Sequence, residues 1–142
     1  FAKDAVWEQN RFLFDDPENQ YFISANQFFR LNRLFGKVDV VITDSPLVMS
    51  VMYASGSILD CISYRDTISR LSGKFRNMNF FIERAKPYNP NGRNQNEDEA
   101  NEIALKMKKF LDDSAIEYSC YLGIEPGYNE MLKMILSEVG NV

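Results

Sequence analysis

The sequence predicts an α/β protein, a parallel sheet with flanking helices, and two observations carry that expectation. Two short runs, residues 38–42 and 79–82, are too apolar to face water on either side, and residues 116–122 form a third strand-like run. The stretches between them repeat their apolar residues at helical rather than alternating spacing. Strands separated by helices make βαβ units, and βαβ units make parallel sheets.

Taken in order, residues 2–10 read as a short helix, broken by Phe12-Leu13-Phe14 and then by Asp15-Asp16-Pro17. Pro17 and Glu18 open a long helix reaching to about Phe35. Its inward side is expected to carry Tyr21, Phe22, Ala25, Phe28, Phe29, Leu31, Leu34 and Phe35. Gly36 ends that helix, and the run through Ile42 is the first strand. A helical pattern over 47–53 is interrupted by Gly56, and a further helix over about 60–72 is closed by Gly73. Residues 79–82 are the second strand. Residues 85–96 hold two prolines, one glycine and four asparagines and read as a loop. Asn96 followed by Glu99 is a capping box for the next helix. That helix runs to about Asp112 with Ala100, Ile103, Met107, Phe110 and Leu111 on one face. Residues 116–122 are the third strand, and Glu125-Pro126-Gly127 opens a last helix with Tyr128, Met131, Leu132, Ile135 and Val139 inward.

The chain has 142 residues, the size of one domain, and no internal repeat is visible. Eleven Phe and seven Tyr call for a bulky core. A net charge of −4 argues against a general nucleic-acid surface or an anionic membrane surface. No apolar run approaches the roughly 20 residues that span a bilayer. Cys61 and Cys120 lack metal-ligand spacing, so buried free thiols in a reducing cytoplasm are expected. The chain has no histidine, which removes Ser-His, Cys-His and the usual zinc-based chemistries.

Two stretches carry candidate chemistry. In Val38-Asp39-Val40-Val41-Ile42-Thr43-Asp44-Ser45-Pro46 an apolar run delivers a carboxylate, and ligands of open α/β sheets bind where strands end. Asp44 is either a site residue of that kind or a helix cap. In Arg84-Ala85-Lys86-Pro87-Tyr88-Asn89-Pro90-Asn91-Gly92-Arg93-Asn94-Gln95 three cations of an acidic protein gather in one loop past the second strand. They are either solvated partners of Glu97, Asp98 and Glu99 or ligands for an anion.

These two stretches, with Phe1-Ala2-Lys3-Asp4, Trp7-Glu8 and the helix bearing Gln27, resemble P-loop kinases. The similarity is to the AAA-like ATP-binding proteins of bacteriophages that are related to nucleoside and nicotinamide-riboside kinases, and it covers most of the chain. That family carries a G-x-x-x-x-G-K-[ST] loop after its first strand, and this sequence contains none. The resemblance therefore implies a kinase-like sheet lacking its first two strands, with the P-loop supplied upstream of residue 1, either removed, on a separate fragment, or replaced by a rearranged fold. Removal is the expected case.

The resemblance also implies roles. ATP and Mg2+ are the cofactors, and a nucleoside, nucleotide or related ribosyl compound is the phosphate acceptor. Asp44 holds the metal water or takes the acceptor's proton. Arg84 and Arg93 are lid arginines of the 85–96 loop, with Lys86 an accessory to the phosphates and Gly123 the turn beside the adenine. Lys3, Asp4, Gln27 and Ser45 border the acceptor. Each has a plainer alternative: Gly123 is a routine turn and Ser45 a helix cap. A nucleotide-binding switch or interaction protein without phosphotransfer is the alternative function, and a P-loop-less inhibitor or scaffold is a third. The resemblance places the protein in the cytoplasm, that of the host if phage-encoded.

Overall fold

A computed structural model describes residues 12–89 and 96–140. The expected helix over 2–10 lies outside them. The chain divides into two compact units, one built on residues up to Asn77 and one from Met78 onward.

The first unit is helical. Helix α1 (Phe12–Asp15) is a single turn, so the aromatic triplet read as a helix break is itself helical. Asp16 then accepts a 2.8 Å bond from the Glu18 N–H and caps the 3-10 turn Pro17–Asn19. Helix α2 spans Gln20–Asn32, and turns carry the chain to Gly36, whose φ of +72° is the left-handed conformation glycine adopts cheaply. Helix α3 is Met49–Tyr53 and helix α4 is Ile62–Ser72, with Gly73 as its C-cap.

The inward side of α2 differs from the expected one. Gln20, Ile23 and Ser24 are buried, and Phe28 and Leu31 pack on the core, while Tyr21, Phe22 and Phe29 are exposed. The stripe is thus 20, 23, 24, 27, 28, 31, a helical face with polar residues inside it. The buried Tyr64 hydroxyl explains the choice: it stands 3.1 Å from the Gln20 carbonyl and 3.1 Å from Ser24 Oγ, which itself donates to the Tyr21 carbonyl. An aromatic body packs while its polar tip finds partners, which lets polar positions face inward. Leu47, Ala54, Tyr64 and Ile68 form the core, with Val51, Leu59, Leu71 and Phe75 against it. Lys74 lies over the rings of Phe28 and Phe35 and reaches Asn32 Oδ1, which fastens the end of α4 to the C-terminal part of α2 and the turns after it.

The turn before α4 is held by a carboxylate. Asp60 accepts from the Gly56 N–H at 3.1 Å and the Ser55 hydroxyl at 3.3 Å, and pairs with Arg65. The Gly56 N–H first, and Arg65 second, hold its carboxyl below the usual carboxylate range. A depressed folded pKa stabilises above the unfolded value, about 3.9, and that stabilisation is lost as pH falls through the folded value. Asp60→Asn should therefore lower thermal stability at pH 7, with the gap to the parent protein closing toward pH 2. Thermal unfolding followed across that range checks it, and a gap independent of pH would contradict the assignment.

Residues 38–42 are not a strand. Among the described residues their backbone takes part in no hydrogen bond, and Val38, Val40, Val41 and Ile42 are exposed, Ile42 by 83%. A strand exists only through its ladder, and the described residues of this helical unit offer none.

The second unit is a β–α–β–α run. Strand β1 (Phe80–Glu83) and strand β2 (Ser119–Leu122) pair in parallel, Phe80 opposite Ser119 and Glu83 opposite Leu122. Helix α5 (Glu97–Asp113) joins them, and helix α6 (Glu125–Val139) follows. The capping box is present in full: Asn96 accepts from the Glu99 N–H, and the Glu99 carboxylate accepts from the Asn96 N–H. Lys108 of α5 reaches Glu83 on one face of the sheet, and Tyr121, on the other, meets Met134 of α6. The helices therefore cover opposite faces, the arrangement of a parallel sheet. Strand β2 is shorter than expected because the Ile116 N–H bonds back to the Leu111 carbonyl, and Ala115, at φ +51°, turns the chain first.

On α6 the inward stripe is narrower than expected. Gly127 and Met131 are buried, whereas Tyr128 and Leu132 are exposed by 45% and 53%. Two strands offer a helix only one stripe of surface. The two cysteines are free and both exposed, against the expectation of burial. Cys61 is the N-cap of α4, and Cys120 shares a sheet face with Glu83 rather than with Tyr121.

Candidate functional site

The second unit brings part of the expected constellation together. Glu83 and Leu122, the last residues of β1 and β2, lie opposite one another, and the Gly123 N–H extends the ladder with a 2.9 Å bond to the Glu83 carbonyl. Arg84 and Gly123 therefore leave the sheet side by side at its carboxyl edge, where α/β proteins take their ligands. Lys86 follows two residues later and is exposed.

Arg84 is held in place by helix α5. Its Nη1 donates to Asn101 Oδ1 at 3.0 Å and lies 3.9 Å from Glu97 Oε1, and its guanidinium stands 5.3 Å from the centroid of the Tyr88 ring. The capping box fixes where α5 begins, so Glu97 and Asn101, one turn apart, meet the arginine from the helix's first turns. The pairing with Glu97 that the sequence allowed is thus present. Among the described residues both polar contacts use Nη1, so of the five N–H donors of the guanidinium those on Nε and Nη2 remain to meet an anion. Asn101 is a residue that sequence reasoning missed, since seventeen positions separate it from Arg84 and no local pattern links them.

Gly123 has a packing reason of its own. A Cβ there would stand 3.1 Å from the Glu83 carbonyl oxygen and 3.3 Å from Ile82 Cγ2. The glycine lets the two strands and the turn close up, which leaves the adenine role without support from its geometry. Glu125, in the first turn of α6, adds a carboxylate close in sequence to Gly123. It disfavours an anion at that helix terminus.

The remaining candidates belong to the first unit or lie outside the described residues. Asp44 is exposed, and among the described residues it makes no hydrogen bond or ion pair. It does not cap α3, whose N-cap is Val48 and has no side-chain cap. Nor does it end a strand, so the expectation that an apolar strand over 38–42 delivers it to a strand end is corrected. The cause is the missing ladder at 38–42. Ser45 is no cap either; its N–H donates to Thr43 Oγ1 at 3.1 Å. Gln27 lies on the inward stripe of α2, and its Oε1 is buried with no hydrogen-bond partner, an arrangement that costs free energy and that native proteins keep rare. Lys3, Asp4 and Arg93 lie outside the described residues, as do residues 90–95 of the lid loop.

The described residues do not fit the nucleotide–magnesium pair that the kinase resemblance implies. Among them no three Asp, Glu, Cys or His side chains converge. The backbone cradle and lysine of a P-loop are missing from the sequence. What fits is narrower: two cations at a carboxyl edge, suited to the phosphate of a ligand. Among the described residues no helix is long and apolar enough to cross a membrane. No protein family matches the chain, and neither a curated protein nor a solved structure shows significant similarity to it.

Proposed function

We propose that this protein binds the phosphate groups of a nucleotide at the carboxyl edge of β1 and β2, through Arg84 and Lys86, and works as a nucleotide-binding switch or interaction protein. The observation that carries the reading is the pre-positioned Arg84: α5 orients one nitrogen through Asn101 and Glu97, and among the described residues the rest of the fork is left for a phosphate. A guanidinium fixed before the ligand arrives loses less side-chain entropy on binding than a free one. Lys86, a compact charge on a flexible stem, adds attraction without fixed geometry.

Charge-assisted bonds contribute about 1.5–3 kcal/mol each. Arg84→Gln should therefore weaken binding of ADP roughly tenfold or more, and Lys86→Gln by less, in calorimetric titration of the chain. Asn101→Ala should weaken it in the same direction through the lost orientation of Arg84. Unchanged ADP affinity in Arg84→Gln, or no ADP binding by the parent chain, would remove the proposal.

One observation favours a second reading, ATP-dependent phosphotransfer to a nucleoside, nucleotide or related ribosyl acceptor. Val38, Val40, Val41 and Ile42 are exposed and, among the described residues, without a ladder, so a strand paired beside them would set Asp44 at a strand's carboxyl end. This reading needs a Gly-rich phosphate loop that these 142 residues do not contain. In a gene product that carries one, Asp44→Asn should abolish phosphate transfer to the acceptor while leaving the circular-dichroism spectrum unchanged. Full turnover in that variant would exclude Asp44 as the carboxylate acting on the acceptor.

A further inference from the structure

We draw no further inference here: the strongest candidate, the exposed apolar segment 38–42 of the helical unit, carries nothing because antiparallel pairing of its unbent residues 40–43 with a second copy would set Asp39 against Asp44, and nothing else in the structure shows what covers it.

Discussion

Replacing Gly127 with alanine should destabilise the α/β unit by about 3 kcal/mol, the upper part of the range for overpacking a closed site. A Cβ at this position would lie 2.4 Å from the carbonyl oxygen of Leu122 and 3.5 Å from the Tyr121 Cβ. The first of these is backbone, held in the parallel pair, so no side chain can swing aside to make room. Helix α6 would have to lift from β2, and Met131, the other buried residue of its inward stripe, would lose its packing. Amide hydrogen exchange should show the loss in Ser119–Leu122 and Glu125–Val139. Parent-level protection of both segments in the variant would overturn the packing argument. Gly123→Ala is the graded comparison. Its closest approaches are 3.1 and 3.3 Å, one of them to the side-chain tip of Ile82, so a smaller loss is expected there.

Truncation of Ile68 should have the second large effect, confined to the helical unit. Ile68 is 2% exposed and is the largest side chain buried to that degree. It sits in α4 among Leu47, Ala54 and Tyr64. Ile68→Ala removes buried methyl and methylene groups and leaves a cavity, at a cost of about 2–5 kcal/mol. Ile62, in the first turn of the same helix, is 84% exposed, so Ile62→Ala should cost well under 1 kcal/mol. Urea denaturation of the two variants separates burial from helix propensity, because the same substitution is made in the same helix. Equal midpoints would mean that the core does not rest on Ile68. The two units need not unfold together, so the transition is best read from amides within Ile62–Ser72.

Local signals in the sequence proved sufficient where the structure they specify is local. The Asn96–Glu99 capping box, the start of the turn at Asp16-Pro17 and the stop at Gly73 are set by bonds between residues within a few positions of one another, whereas α2 ends at Asn32, short of the stop expected at Gly36. On α5 the expected face is the inward one: Leu111 is buried and Ala100, Ile103, Met107 and Phe110 are half-buried, with Lys108 beside them over Phe81 and Leu105 exposed.

Where a second element had to choose, periodicity was not enough. Helix α2 carries aromatics around much of its surface, so more than one stripe could have faced inward. Tyr64, forty positions from Ser24, selected the stripe containing Gln20 and Ser24 because its hydroxyl needed partners there. In the same way Arg84 was legible as a cation after a strand, but its orientation came from Asn101 across a helix. The reading of 38–42 failed for the opposite reason: the residues favour a strand, and no neighbour among the described residues pairs with them.

By itself, then, the sequence determined the order of helices and strands in the second unit, the capping box of α5, the parallel sense of the β1–α5–β2 unit and the placing of Arg84 and Lys86 just past a strand. All of these follow from near-neighbour chemistry or from the connection length between strands. Only the tertiary structure decided that residues 38–42 stay unpaired among the described residues, that α2 turns its polar stripe inward, that Gly127 meets the Leu122 backbone closely and that Asp44 ends no strand. Those outcomes depend on which groups meet across long sequence separations, and a hydrogen-bond ladder or a buried hydroxyl is satisfied only by the partner that the fold brings to it.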